Sequence, residues 1–348
     1  MKYLVTGGAG FIGSHIVDAL IGQGHEVVVL DNFSTGKREN LIVNPTQLVE
    51  GDIRDADICL EAAKGCDGIF HEAALVSVPD SINRPRDNHE INITGTLNVL
   101  EAARANGIKR VVFASSAAIY GDNPELPKRE DMLPEPKSPY ALAKLTGEGY
   151  LNVYAECFGL ETVALRYFNV FGLRQDPTSM YSGVISIFSE RIKKGLPITI
   201  YGDGQQTRDF VNVKDVVQAN LLAMNVQSVQ NVEIVKRDSD PAAPTLNEAG
   251  GRFDEPQSGV STTSTFNEAK GRFNVFNIAT GKTTSLLELL DTLEAITGNR
   301  VDRSFYPSRS GDIQHSLADI SNVLNVLGYI PAVELKEGLR LLSVPYAE

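Results

Sequence analysis

The chain has 348 residues, enough for a sizeable core and for one large or two medium domains. Its 32 basic and 44 acidic residues give a formal charge of −12, which argues against nucleic acid or an anionic membrane as partner; an anionic small molecule would need a local cluster of arginines. Cys59, Cys66 and Cys157 form no CxxC or Cys/His pattern, so no metal site is expected, and they read as reduced thiols of a cytoplasmic protein.

The first element, KYLVTG, predicts a strand whose apolar run is too short for a signal-peptide core or a membrane span. GSHIVDALIGQG then predicts an amphipathic helix and EVVVLD a strand, and the alternation continues through LVEGD, GIFHEAA, NVLEAARANG, RVVFASS and TVALRYFNVFG. Strand and helix in turn predict an α/β chain: a Rossmann-type doubly wound parallel sheet covered by helices on both faces.

Beyond the last of these strands, PITIYGDG, NVFNIATG and LLELLDTLEAITG predict a smaller α+β lobe. We therefore expect a first domain over 1–168 and a substrate-binding lobe over 169–348, with some of its segments returning to the first. Between about 226 and 273 small polar residues dominate and apolar periodicity disappears, which predicts a mobile surface insertion. Within it NEAGGRF (Asn247 to Phe253) recurs as NEAKGRF (Asn267 to Phe273), a local near-duplication too short for a solenoid.

TGGAGFIG, Thr6 to Gly13, follows the first strand and opens a helix, so Gly7, Gly10 and Gly13 are spaced to admit a pyrophosphate against backbone N–H groups and the helix N-terminus. Phe11 and Ile12 complete that cradle. EVVVLD ends in Asp31, followed by Asn32, where a carboxylate can accept from adenosine ribose hydroxyls and would repel a 2′-phosphate. NAD is thus favoured over NADP, although Lys37 and Arg38 stand close behind as a basic turn. Asp52 and Ile53, at the end of the third strand, either flank the adenine or serve a turn.

In SPYALAKLTGE, Ser138 is a reasonable N-cap and Pro139 suits a first helical turn, which puts Tyr140 and Lys144 on one face. An ammonium beside a phenol favours the phenolate, as does an oxidised nicotinamide, giving a base near neutral pH. Ser115 and Ser116 end the strand of VVFASSAAIYG, at the edge where open α/β sheets bind ligands.

Glycine turn, strand-end serine and YxxxK together resemble the extended short-chain dehydrogenase/reductase family over most of the chain outside the insertion. The resemblance implies a catalytic triad of Ser116, Tyr140 and Lys144, with the last two also contacting NAD. It also places Ala73 and Ala74 of HEAA, and Asn92 of NITGTLNVLEAA, beside the cofactor, while His71 reads as structural. Dehydratases of the family carry Asp-Glu after the strand-end serine or threonine; here Ala117 and Ala118 stand there and cannot transfer a proton, so dehydration is disfavoured.

RYFNVFG, ITIYGDGQQTRDFVNVKDV and RSGDIQHSLADI are similar to segments of nucleotide-sugar 4-epimerases. That similarity implies a UDP-sugar substrate held by Ser116, Asn169, Tyr201, Arg208, Arg309, Asp312 and Ser316, with Tyr201 on the uracil and both arginines on the diphosphate. Ser316 matches the position where glucose/galactose-restricted relatives carry tyrosine, implying room for a 2-acetamido group. The expected activity is C4 epimerisation of UDP-N-acetylhexoses and UDP-hexoses, in a homodimer. The alternatives are a UDP-glucuronate epimerase or decarboxylase and, in another class, a non-catalytic NAD-binding sensor or scaffold.

Overall fold

Val27, Val28 and Val29 are wholly shielded from solvent, as are Ile69 with Phe70 and Val111 with Val112. Continuous apolar runs of this kind belong to parallel strands covered on both faces. The computed structural model describes residues 1–176, 183–225, 271–308 and 314–343. The runs lie in β1 (Lys2–Thr6), β2 (Glu26–Asp31), β3 (Gln47–Glu50), β4 (Gly68–His71), β5 (Arg110–Ser116) and β6 (Glu161–Tyr167). With a seventh strand, Phe273–Ile278, they form one parallel sheet in the order Phe273–Ile278, β6, β5, β4, β1, β2, β3.

Alternate residues of each strand feed opposite cores. Val5, Val29, Phe70 and Val112 pack on Ile16, Val17 and Leu20 of the Phe11–Gly22 helix and on Val216 and Ala219 of the Val213–Asn225 helix. Leu4, Val28, Ile69 and Phe113 face the other way, onto Val99, Leu100 and Ala103 of Gly95–Ala105 and Leu151 of Pro139–Phe158. The strand order reverses between β1 and β4, and the crevice beyond their carboxyl ends is where such sheets bind ligands.

A third core gathers Phe171, Ile185, Phe188, Ile198, Ile200, Leu289 and Leu293 between the helices Val184–Lys193 and Leu286–Thr297. Beside it Ile198–Tyr201 pairs in parallel with Arg303–Tyr306.

Of the two near-copies, NEAGGRF and the first four residues of NEAKGRF lie outside the described residues. Gly271 donates to the Ala155 carbonyl at 2.9 Å, and Phe273 already pairs with Thr162 of β6, so the edge strand begins inside the range expected for the insertion. No helix among the described residues is long and apolar enough to cross a membrane.

Candidate active site

The glycine turn is built by close backbone approach. Gly7 has φ +68°, and a Cβ there would come within 2.7 Å of the Ala73 nitrogen. A Cβ on Gly13 would lie 2.2 Å from the Gly7 carbonyl oxygen. Gly10 precedes the Phe11–Gly22 helix without a side-chain cap, so the N–H groups of the first turn, including those of Phe11 and Ile12, face the crevice with no side chain to satisfy them. A pyrophosphate fits this cradle. Gly13→Ala should open it: we expect NAD to bind at least about tenfold more weakly, read by titrating the stripped protein with NAD.

Asp31 is almost fully buried at the end of β2, where its carboxylate accepts from the N–H groups of Ala9 at 2.9 Å and Phe33 at 2.8 Å. Burial pushes its pKa up and those two donors pull it back. Gly36, which sequence reasoning passed over, closes the other side: a Cβ there would sit 2.9 Å from both carboxylate oxygens. Lys37 pairs with Asp176 at 3.6 Å and Arg38 with Glu50, so each of the two cations that could have courted a 2′-phosphate faces a carboxylate.

β3 stops at Glu50, two residues before Asp52. Asp52 is gripped by Arg54 at 2.9 and 2.8 Å and by Asn32 Nδ2 at 2.7 Å, and Arg54 above all lowers its pKa to about 2. Ile53 is buried against Gly95. Asn92 occupies one wide π turn, Glu90–Thr94, and exchanges hydrogen bonds with Leu75, accepting at 2.8 Å and donating at 2.9 Å. It thereby fixes the loop that carries Ala73 and Ala74. His71 bridges Thr6 at 2.7 Å and Thr96 at 3.0 Å, and burial drives its pKa down to about 3, so it is a neutral structural residue.

The helix carrying the tyrosine and lysine starts as its sequence dictates. Ser138 Oγ accepts from the Ala141 N–H at 3.2 Å, Pro139 fills the first position, and the Tyr140 N–H donates to Ser81 Oγ at 3.1 Å. Lys144 Nζ donates to the Ala114 carbonyl at 2.7 Å and lies 5.9 Å from the Tyr140 ring centre. Burial raises the Tyr140 pKa, and Ser116 is the neighbour that lowers it. Burial also pulls Lys144 down to about 8.

Ser116 also lines a cavity of about 200 Å³ with Ala117, Tyr120, Asn169, Arg208 and Ser316. Asp209, wholly buried, organises its far wall: its carboxylate accepts from the N–H groups of Thr280, Gly281 and Ala318, tying three loops together. The Ser316 N–H donates to the Thr207 carbonyl at 3.1 Å, which sets Ser316 beside Arg208. The Lys128 N–H and carbonyl clasp Leu317 and Asp319 at 2.8 Å each, and its buried ammonium donates to the carbonyls of Asn123 and Glu125. Tyr201 stands apart from this cavity, its ring 6.2 Å from that of Tyr306. Arg309 and Asp312 lie outside the described residues.

Residues 3–235 match the NAD dependent epimerase/dehydratase family. The chain belongs to this family. It is an enzyme of the extended short-chain dehydrogenase/reductase type, and NAD is its cofactor. Among relatives of this epimerase/dehydratase family, a putative UDP-glucose 4-epimerase of Methanocaldococcus jannaschii is 39% identical over 97% of this chain and 95% of its own. The UDP-glucose 4-epimerase of Thermotoga maritima, solved with UDP-glucose, is 38% identical with a TM-score of 0.81, covering 98% of this chain and 97% of its own. A UDP-N-acetylglucosamine 4-epimerase of Methanobrevibacter ruminantium, solved with UDP-N-acetylmuramic acid, gives the same identity and score over 98% and 96%.

Proposed function

We propose that the enzyme reversibly inverts C4 of a UDP-hexose, chiefly UDP-N-acetylglucosamine and UDP-N-acetylgalactosamine, with UDP-glucose and UDP-galactose also accepted. The 4-epimerase names of its relatives support the reaction class. The observation that carries the choice of sugar is Ser316 on the wall of the cavity that opens at Ser116. A hydroxymethyl side chain there leaves space for a 2-acetamido group that a phenol would fill.

In this reading Ser116 holds the sugar 4-oxygen, and Tyr140 removes its proton as the C4–H bond breaks. NAD, which the Gly7–Gly13 turn and Asp31 would hold, would supply the acceptor for the C4 hydride and the donor that returns it to the opposite face. The intermediate is a 4-keto sugar; its reduction from the second face takes the proton back from Tyr140, so the base is regenerated in each turnover. Lys144 anchors the nicotinamide ribose. Arg208 steadies the diphosphate and Asn169 the sugar or diphosphate, while Tyr201 packs on the uracil. Arg309, Asp312 and a homodimer belong to the same reading, with residues 1–168 holding NAD and 169–348 most of the UDP-sugar.

A panel of UDP-sugars incubated with the holoenzyme, with products resolved by NMR, tests the reading. Turnover of UDP-glucuronate alone, with or without released carbon dioxide, would replace it, and absence of any turnover despite bound NAD would favour a binding protein. Ser316→Tyr should depress turnover of the acetamido sugars at least about tenfold more than that of the plain hexoses, since lost room costs more than lost contact. Equal losses on both pairs would sink the pocket assignment.

A further inference from the structure

Asn277, wholly buried near the end of the edge strand Phe273–Ile278, takes no part in the steps above. Its side-chain oxygen accepts from the Tyr120 hydroxyl at 2.7 Å, and its Nδ2 donates to the carbonyls of Lys128 at 2.9 Å and Asp319 at 3.3 Å. The orientation of this amide is forced from both sides. Arg166 Nη1 donates to the Tyr120 hydroxyl at 2.9 Å, and a guanidinium can only donate, so the single phenolic proton goes to Asn277. Two main-chain carbonyls, which can only accept, hold the amide nitrogen on the other side. A carboxylate of the same shape would bring an acceptor against both carbonyls, and an apolar side chain would leave all these groups short of a partner.

The groups that the amide joins are pieces of one wall. Tyr120, Lys128 and Ser316 all line the cavity that opens at Ser116, and they come from three separate stretches of the chain. The Lys128 N–H donates to the Leu317 carbonyl and the Asp319 N–H to the Lys128 carbonyl, so the residues directly after Ser316 run alongside Lys128. Asn277 bonds the Lys128 and Asp319 carbonyls together and ties both to Tyr120. Three residues further on, the Thr280 N–H donates to Asp209 at 2.8 Å, and the same carboxylate takes the Ala318 N–H at 3.3 Å. Ala318 is thus held by its N–H through Asp209, and Asp319 by its carbonyl through Asn277.

We propose that Asn277 is a positioning residue for the sugar: its amide sets the Ser316 segment in register with Lys128 and Tyr120, and so fixes the shape of the cavity in which the sugar is seated. Its hydrogen bonds end on that wall rather than on the glycine turn, so Asn277 governs the fit of the UDP-sugar and leaves NAD binding alone. A residue serving only the stability of the lobe would lower the amount of active enzyme and leave KM where it is.

The kinetic arm of the test rests on the UDP-hexose reading; the exchange arm does not. Asn277→Asp keeps the size of the side chain and the oxygen that faces Tyr120, but removes the amide donors. In this variant KM for UDP-N-acetylglucosamine should rise at least about tenfold, with NAD affinity of the stripped protein within about twofold of wild type. Amide hydrogen exchange at Lys128 and Asp319 should quicken at least about tenfold while the amides of β1 keep their protection. Tyr120→Phe, which leaves the amide held by the two carbonyls alone, should move KM and the exchange the same way by less, and serves if Asn277→Asp fails to fold. Unmoved exchange at Lys128 and Asp319, or an unmoved KM with kcat lowered, overturns the proposal. A wild-type enzyme that turns over no UDP-sugar strikes the functional reading, and the exchange of these two amides still decides whether Asn277 holds the wall.

Discussion

Tyr140→Phe should lower kcat by about a thousandfold while leaving the fold and the NAD content in place. The size is that of a positioned proton acceptor removed from the transition state. The change deletes one hydroxyl and leaves the ring between the same neighbours, so little stability should be lost. The sign with pH follows from the direction of the shift. Burial raises the pKa of Tyr140, so at low pH the phenol keeps its proton and cannot accept another; wild-type activity should rise with pH through that titration, and the variant's residual rate should lack the rise. Rates measured with saturating UDP-sugar, together with the absorbance of bound NAD, separate lost chemistry from lost cofactor. A variant within about tenfold of wild type would remove Tyr140 from the role of base.

The sheet and the glycine cradle were legible in the sequence because both are local. A run such as EVVVLD declares a strand buried on two faces, and Gly13 is demanded by the Gly7 carbonyl six residues before it, whereas the reason for Gly7, the approach of Ala73, lies far along the chain. The start of the Pro139–Phe158 helix was legible for the same reason, since cap and first turn lie within four residues. What stayed hidden depends on residues far apart in the chain. Asp209 looks like any polar residue of TRDFVNV until Thr280, Gly281 and Ala318 arrive around it. Glu72 reads as one more polar residue of HEAA, because Tyr167 and Asn220, which orient it, are 95 and 148 residues further on. Gly36 carried a faint signal, a glycine soon after Asp31, but its reason is the crowding of that carboxylate. The orientation of Lys144 was also beyond the sequence: its spacing from Tyr140 fixed a shared face, whereas the Ala114 carbonyl decides where the ammonium points.

The last residue of SPYALAKLTGE shows how such a distant partner bears on catalysis. Glu148 lies one helical turn after Lys144, and its carboxylate takes Arg166 Nε at 3.0 Å and Nη2 at 2.8 Å, with both side chains about 5% exposed. Ser115 Oγ donates to the same carboxylate at 2.5 Å, and Arg166 Nη1 continues to the Tyr120 hydroxyl at 2.9 Å, on the wall of the cavity that opens at Ser116. One buried pair thus joins the Pro139–Phe158 helix, the strand end before Ser116 and the cavity that opens there. Glu148→Ala would strand the guanidinium without its counter-charge, and we expect a loss of about 3–5 kcal/mol in unfolding free energy by urea titration of the holoenzyme. Arg166→Met should cost a comparable amount, because it strands the carboxylate instead. The double variant Glu148→Leu/Arg166→Met should be markedly more stable than the sum of the two single losses predicts, since no uncompensated buried charge remains. Its turnover should still lie below wild type, because apolar packing restores burial but not the hydrogen bonds that hold Ser115 and Tyr120 in register with Lys144. Additive losses in stability would mean that the pair is not the unit that holds these elements together.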